Sequence, residues 1–203
     1  MALSLPSLSS ARKPLRAELR ARRRSLSPLE RERAALLVAR NLDRAFPLRA
    51  GQRVAIYAAM REELDTAPLI ALALNRGCRV FLPRIERRTG RIHFVETSLG
   101  CRQRANHLGI LEPIGTARVE ARFLHLVLLP LVGFDARGAR LGMGGGYYDR
   151  TFAFRNVHAS WRGPRLVGLA YAFQQLPSIE AAAHDVHMNA VVTDKGVVRC
   201  RIG

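Results

Sequence analysis

The densest chemistry-bearing stretch of this 203-residue chain runs over residues 133–150, GFDARGARLGMGGGYYDR. Gly142, Gly144, Gly145 and Gly146 fall within five positions, directly ahead of Tyr147, Tyr148, Asp149 and Arg150. Glycine reaches positive φ without steric cost and lets backbone N–H groups approach a ligand closely. A glycine loop between a strand and a helix therefore makes a nest for an anion, with phosphate as its natural guest. The other reading of so many glycines is a flexible surface connector. The stretch is not a Walker loop, because GxxxxGK[ST] is absent. It is not a dinucleotide fingerprint either, because GxGxxG counted from Gly142 needs a glycine where Tyr147 stands. For Tyr147 and Tyr148 the alternative to a role at a ligand is packing against the sheet edge.

Two further groups of side chains could do chemistry. Glu62, Glu63 and Asp65 put three carboxylates into four positions, and Asp65 is also a natural cap for a helix starting at Thr66. His184, Asp185 and His187 offer three metal-ligating side chains within four residues but no convincing fourth, which argues against zinc. No serine or cysteine stands in an activating motif, so neither a Ser-His-Asp nor a Cys-His mechanism is supported.

These groups need elements to position them. Residues 1–10, rich in Ser and Leu, read as a disordered tail, with a single domain over residues 11–203. Residues 13–24 place Leu15 and Leu19 at i, i+4 among arginines, a helix with one very basic face. Ser27 with Pro28 at N1 and Glu30 at N3 is a capping-box start for a second helix reaching about Phe46, where Pro47 stops it. Residues 53–58, 66–75 and 79–82 form a β-α-β unit, with a further strand expected at 91–95. The continuous apolar run 123–132 fits a strand covered on both faces, a helix begins near Tyr147, and later strands are expected at 166–170 and 190–192. Strands alternating with helices predict an α/β fold, a mostly parallel central sheet flanked by helices on both faces.

Composition narrows the class. Hydrophobic content of 48% is too high for disorder, and no apolar run approaches the roughly 20 residues of a membrane span. The first ten residues hold no basic residue and no apolar stretch follows the basic cluster, so no secretory signal is expected. Cys78, Cys101 and Cys200 are far apart without CxxC spacing, which predicts a reducing, cytoplasmic compartment. The net charge is +17, and residues 1–60 carry 13 basic against four acidic residues. Such a surface points to an anionic partner, either a nucleic acid or small anions. Only Lys13 and Lys195 are lysines, so the arginine excess could equally reflect codon composition.

The stretch LVGFDARGARLGMGGGYYDR at 131–150 resembles the signature of the 5-formyltetrahydrofolate cyclo-ligase (5,10-methenyltetrahydrofolate synthetase) family. The resemblance extends to the basic segment RKPLR at 12–16, MREELDT at 60–66, Glu112-Pro113, GLAYAFQ at 168–174, and His184-Asp185 ahead of VVT at 191–193. It covers roughly residues 11–197 in order and spacing. Asn189 departs from it, since many relatives carry an aspartate there.

The resemblance implies a monomeric enzyme of one-carbon folate metabolism that uses ATP and Mg²⁺ to close 5-formyltetrahydrofolate to 5,10-methenyltetrahydrofolate. It implies ATP contacts from Arg12, Lys13, Pro14, Leu15 and Arg16, and from Arg140, Leu141, Gly142, Met143, Gly144, Gly145, Gly146, Tyr147 and Tyr148. Substrate contacts would come from Glu63, Met143, Gly144, Gly145, Gly146 and Tyr147, with Arg16 and Tyr147 as catalytic groups. Asp149 and Asp185 are the Mg²⁺ candidates, because that ion is normally held by one or two carboxylates plus phosphate oxygens and waters. The alternative for Asp149 is an ion pair with Arg150, and for Asp185 a turn or cap. A rival reading from another class is a basic nucleic-acid-binding module, which lacks interleaved aromatics or a recognisable RNA motif.

Overall fold

The computed structural model describes residues 8–98, 100–106, 109–157 and 163–201. In chain order the helices are α1 (Leu8–Arg24), α2 (Pro28–Ala45), α3 (Ala67–Asn75), α4 (Tyr147–Phe152) and α5 (Phe154–Val157), with two 3₁₀ turns, Ala121–Phe123 and Ala172–Gln174. The strands are β1 (Arg53–Ala55), β2 (Arg79–Ile85), β3 (Ile92–Thr97), β4 (Gln103–Ala105), β5 (Leu111–Pro113), β6 (Arg118–Val119), β7 (Leu126–Pro130), β8 (Gly133–Phe134), β9 (Arg140–Leu141), β10 (Arg165–Ala170), β11 (Ala190–Thr193) and β12 (Gly196–Arg199).

Eight of these strands form one sheet in the order β12-β11-β10-β7-β1-β2-β3-β6, while β4–β5 and β8–β9 are separate hairpins. The five central strands, β11 to β2, are parallel, with Val54 opposite both Val80 and Leu126, and Val167 opposite Leu128 and Ala190. Antiparallel β12 and β3 flank them, and β6 adds on to β3. Alternate residues feed two cores. Val54, Ile56, Leu126, Leu128, Val167 and Leu169 pack under α2 and α3, through residues such as Val38, Leu42, Leu69 and Ala73. Ala55, Val127, Leu129, Leu166 and Val191 face the other way, onto Phe134, Phe152 of α4 and Met188. The mostly parallel sheet with helices on both faces follows the sequence expectation.

Local signals explain the helix starts. Ser27 accepts from the Glu30 N–H and Glu30 Oε2 accepts from the Ser27 N–H at 2.7 Å, the reciprocal cap read from the sequence. Asp65 Oδ1 takes the Ala67 N–H at 2.9 Å at the head of α3. The first helix begins at Leu8, inside the stretch read as tail and before the expected start at Lys13; residues 1–7 lie outside the described residues. It passes through Pro14, which removes one helical hydrogen bond, and tertiary anchoring of Arg12 holds that turn instead.

The apolar run 123–132 is a strand only over Leu126–Pro130. Beyond Pro130 the chain leaves the sheet: the Leu131 carbonyl accepts from Gln174 Nε2, and the Val132 N–H donates to Leu141, starting the β8–β9 hairpin. From β1 the chain moves to β2 on one side and later to β7 on the other. The crevice at the carboxyl ends of β1 and β7 is therefore the topological switch point, where open parallel sheets place their ligands.

Candidate functional site

A cleft of about 540 Å³ opens at that crevice. Its walls come from the segment after β1 (Tyr57, Met60, Glu63), the ends of β2 and β7 (Ile85, Pro130), helix α1 (Arg12, Arg16), Arg140, the glycine loop 142–146 with Tyr147 to Asp149, and His184-Asp185 ahead of β11. The structure thus gathers most of the expected site residues from four distant parts of the chain.

Helix α1 supplies its arginines at helical spacing. Arg12 and Arg16, at i and i+4, lie on one face. Arg12 Nη2 donates to Asp185 Oδ2 at 2.9 Å and also to the carbonyl of Glu180, and its buried Nε has no hydrogen-bond partner among the described residues. Arg16 Nε donates to the carbonyl of Gly142 at 2.9 Å, tying the helix to the glycine loop. Lys13, Pro14 and Leu15 are exposed and do not line the cleft.

The glycine loop needs its glycines at identifiable places. Gly144 has φ +99° and Gly146, the N-cap of α4, has φ +61°, both left-handed conformations that L side chains rarely adopt. Gly145 is limited by space instead, since a Cβ there would lie 2.5 Å from the Tyr147 ring. Leu141, just before the loop, is buried in a small core with Leu19 and Val132, whereas Met143 is half exposed at the cleft. Tyr148 stacks on Phe152, and burial, reinforced by the nearby Glu63 charge, pushes its hydroxyl well above the ordinary tyrosine value. The same two causes act on the buried Tyr57, so both hydroxyls stay protonated.

Of the three acids at 62–65 only Glu63 lines the cleft. Its Oε2 accepts the Met60 N–H at 3.0 Å. Burial pushes its carboxyl above the ordinary glutamate value, against the opposing pull of the Met60 N–H and Arg23. Glu62 turns away to pair with Arg20 at 3.0 Å and Arg24 at 3.4 Å, and Asp65 is spent on the α3 cap.

Asp149 and Asp185 both reach the cleft, each already engaged. Asp149 Oδ1 accepts from Arg140 Nη2 at 2.5 Å and from the Val186 N–H at 3.0 Å. Asp185 Oδ2 accepts from Arg12 and, at 2.9 Å, from the Ala182 N–H. Burial alone would raise the Asp185 carboxyl, but that N–H and Arg12 hold it below the usual aspartate value. Among the described residues no group of three or more His, Cys, Asp or Glu could hold a metal. Two carboxylates in an arginine-lined cleft suit a magnesium ion carried in on phosphate oxygens, with few protein ligands, better than a resident metal centre.

The isoleucines of the cleft wall had no signal in the sequence, and three polar residues prove to be structural braces. Ile85, Ile92 and Ile110 form an apolar side of the cleft, and Glu112 steadies it by accepting the Ile85 N–H at 2.9 Å and Asn106 Nδ2 at 2.7 Å. Asp135, inside the glycine-rich stretch, is fully buried and accepts the N–H groups of Arg137, Ala139 and Ile179 at 2.9–3.0 Å, making it the brace of the β8–β9 hairpin. Asn189 does structural work as well. Its Oδ1 accepts the Leu166 N–H at 2.8 Å and so pins β10 beside β11.

Comparison with known proteins places the chain in a family. The family model for the 5-formyltetrahydrofolate cyclo-ligase family matches residues 8–194. The chain is 32% identical over 184 residues to the 5-formyltetrahydrofolate cyclo-ligase of Escherichia coli K12, covering 88% of this chain and 98% of that protein. It is 30% identical over 197 residues to the mouse enzyme of the same name, covering 91% and 94%. Among solved structures, the 5,10-methenyltetrahydrofolate synthetase of Aquifex aeolicus superposes with a TM-score of 0.78 at 32% identity, over 95% of this chain and 94% of that one. The synthetase from Mycoplasma pneumoniae shares the fold with a TM-score of 0.70 at 23% identity, covering 90% and 98%. None of these likenesses supports the nucleic-acid-binding alternative. The chain therefore belongs to the 5-formyltetrahydrofolate cyclo-ligase family.

Proposed function

We infer that the cleft binds 5-formyltetrahydrofolate and Mg-ATP together and converts them to 5,10-methenyltetrahydrofolate, ADP and phosphate. The chain is an ATP-dependent ligase that forms a C–N bond. The observation that carries this reading is the meeting, in one cleft, of Glu63 from the segment after β1 with Arg16 and the glycine loop, an acceptor for pterin N–H groups facing a phosphate-binding surface.

An N-formyl amide is a poor electrophile. Transfer of the γ-phosphoryl group to the formyl oxygen releases ADP and leaves that oxygen as part of a good leaving group. The N10 lone pair then attacks the formyl carbon, N10 loses its proton, and the C–O bond breaks to release phosphate with that oxygen. Catalysis of phosphoryl transfer is mostly positioning and charge neutralisation. Arg12, Arg16 and Arg140 neutralise phosphate charge, and the backbone N–H groups of residues 142–146 donate to phosphate oxygens. Tyr147, adjoining the loop, covers the formyl group. Asp149 or Asp185 would hold a magnesium ion carried in with the nucleotide, and that ion would supply further neutralisation of phosphate charge. The Ile85, Ile92 and Ile110 wall and the half-buried position of Glu63 shield the reacting atoms from bulk water.

The excess arginine steers both anionic reactants into the cleft. Three free cysteines, Cys78, Cys101 and Cys200, fit a reducing compartment such as the cytoplasm. Among the described residues no helix is long and apolar enough to cross a membrane. The deciding experiment is formation of the methenyl chromophore from 5-formyltetrahydrofolate with and without Mg-ATP. Absorbance growth that needs both reactants supports the assignment, and none in their presence overturns it.

A further inference from the structure

One side chain outside the ligand-contact set bonds both to the glycine loop and to a turn far away in the chain. Arg150, in α4, donates from Nη2 to the carbonyl of Gly145 at 2.6 Å and from Nε to the carbonyl of Gly90 at 3.0 Å. Its Cζ lies 5.2 Å from the centroid of the Tyr147 ring. Gly90 belongs to the turn between β2 and β3, sixty residues earlier in the chain, and has φ +63°. A Cβ there would lie 2.8 Å from Arg150 Nη2.

We propose that Arg150 is a positioning residue for the cyclo-ligase reaction, a latch that ties the glycine loop and the Tyr147 ring to the β2–β3 turn. This rests on the reading of the cleft given above. The peptide linking Gly145 to Gly146 is planar and trans, so fixing the Gly145 carbonyl on Arg150 points the Gly146 N–H to the opposite side. Without that anchor a run of glycines has the largest conformational freedom of any sequence, and ordering it on ligand binding costs affinity. The same guanidinium faces the Tyr147 ring, which restrains a side chain that lines the cleft. Arginine suits the task because its planar fork can serve two carbonyls and a ring at once, whereas a lysine ammonium is a point charge on a flexible stem. The partner of the latch is a backbone carbonyl of a turn remote from the chemistry, so the turn's geometry also controls the loop.

The test uses Arg150→Met, Arg150→Lys, Gly90→Asn and the double variant Gly90→Asn/Arg150→Met. Asparagine tolerates the left-handed conformation at position 90, but its Cβ displaces the guanidinium. Two measurements are made on the full chain: ¹⁵N order parameters of the Gly145 and Gly146 amides without ligands, and kcat and KM for both substrates. With native thermal transitions, Arg150→Met and Gly90→Asn should each lower those order parameters from about 0.8 to below about 0.6. Each should reduce kcat/KM by about tenfold to a hundredfold. Arg150→Lys should recover only a small part, and the double variant should be no worse than Arg150→Met alone, within about twofold, because both changes break one linkage. Unchanged order parameters in Arg150→Met, or losses that multiply in the double variant, would overturn the latch. Should Arg150→Met fail to fold, Gly90→Asn and Arg150→Lys carry the same comparison. A wild-type protein without methenyl-forming activity would overturn the reading of the cleft, while the order parameters still decide on the latch.

Discussion

Asp149 meets the guanidinium of Arg140 at 2.5 Å, nine residues back along the chain, and leaves its neighbour Arg150 to the carbonyls of Gly90 and Gly145. Successive residues on a helix point in different directions, so an Asp149–Arg150 pair is disfavoured by geometry. The pair that forms is largely buried, with Arg140 also donating to the Val186 carbonyl at 2.5 Å. Arg140→Met should therefore lower stability by about 3 kcal/mol, the low end for breaking a buried pair, because Asp149 keeps the Val186 N–H and some solvent. Urea titration reads this as a lower midpoint at unchanged slope. A variant as stable as the parent would show that the pair contributes nothing net.

Arg16 has a different profile. It is a partly exposed helix residue whose described hydrogen bond is to the Gly142 carbonyl. Removing it should cost less than about 1 kcal/mol of stability, yet raise KM for ATP by about tenfold or more, with the thermal transition near that of the parent. An unchanged KM would take Arg16 out of the site.

The parts of this fold readable in the sequence are those set by neighbours in the chain. The Ser27–Glu30 capping box, the β-α-β unit from Arg53 and the start of α4 at Tyr147 rest on local signals, and each stands within a few residues of its expected place. The glycine loop stands out by its residues alone, and Arg16 and Glu63 are pointed to by the family resemblance, whereas the convergence of all three on one cleft is a property of the sheet topology. What escaped depends on distant partners. Strand β12 is four residues held extended by pairing with β11, a partner that follows only from the fold. Asp135 reads as an ordinary loop acid until Ile179, forty-four residues on, brings its N–H. The Glu112 brace is invisible without the Ile85 N–H from β2.

Glu63 predicts a pH dependence with a definite sign. Burial raises its carboxyl above the unfolded-state value, so between the two values the folded protein holds a proton that the unfolded chain has released. Stability from this group is then greatest below the unfolded value and falls as pH rises through the raised one. Binding of the pterin through an ionised carboxylate runs the other way, weakening as pH drops below the raised value. Glu63→Gln should remove both slopes and weaken 5-formyltetrahydrofolate binding with Mg-ATP affinity nearly intact, since the amide presents a donor where an acceptor is needed. Calorimetric titration of each ligand across pH 5 to 8 checks this. Equal loss of both ligands would show that Glu63 instead holds its loop through the Met60 N–H.

Gly145→Val separates the two readings of the glycine loop. The structure gives positive φ to Gly144 and Gly146 and confines Gly145 by the Tyr147 ring instead, 2.5 Å from where a Cβ would stand. A β-branched side chain there must expel the ring or shift the backbone, and either movement also disturbs the Gly145 carbonyl held by Arg150. Losing one preorganised N–H donor typically costs about 10² to 10³ in rate, so Mg-ATP affinity and turnover should each fall by at least about tenfold. Stability should change little, because Gly145 is exposed and outside both main cores, and Tyr147 can rotate toward solvent. Equilibrium nucleotide binding, steady-state turnover and a thermal melt on the same preparation decide the matter. A native melt with ordinary ATP affinity and ordinary turnover would mean that the glycines connect β9 to α4 without cradling phosphate.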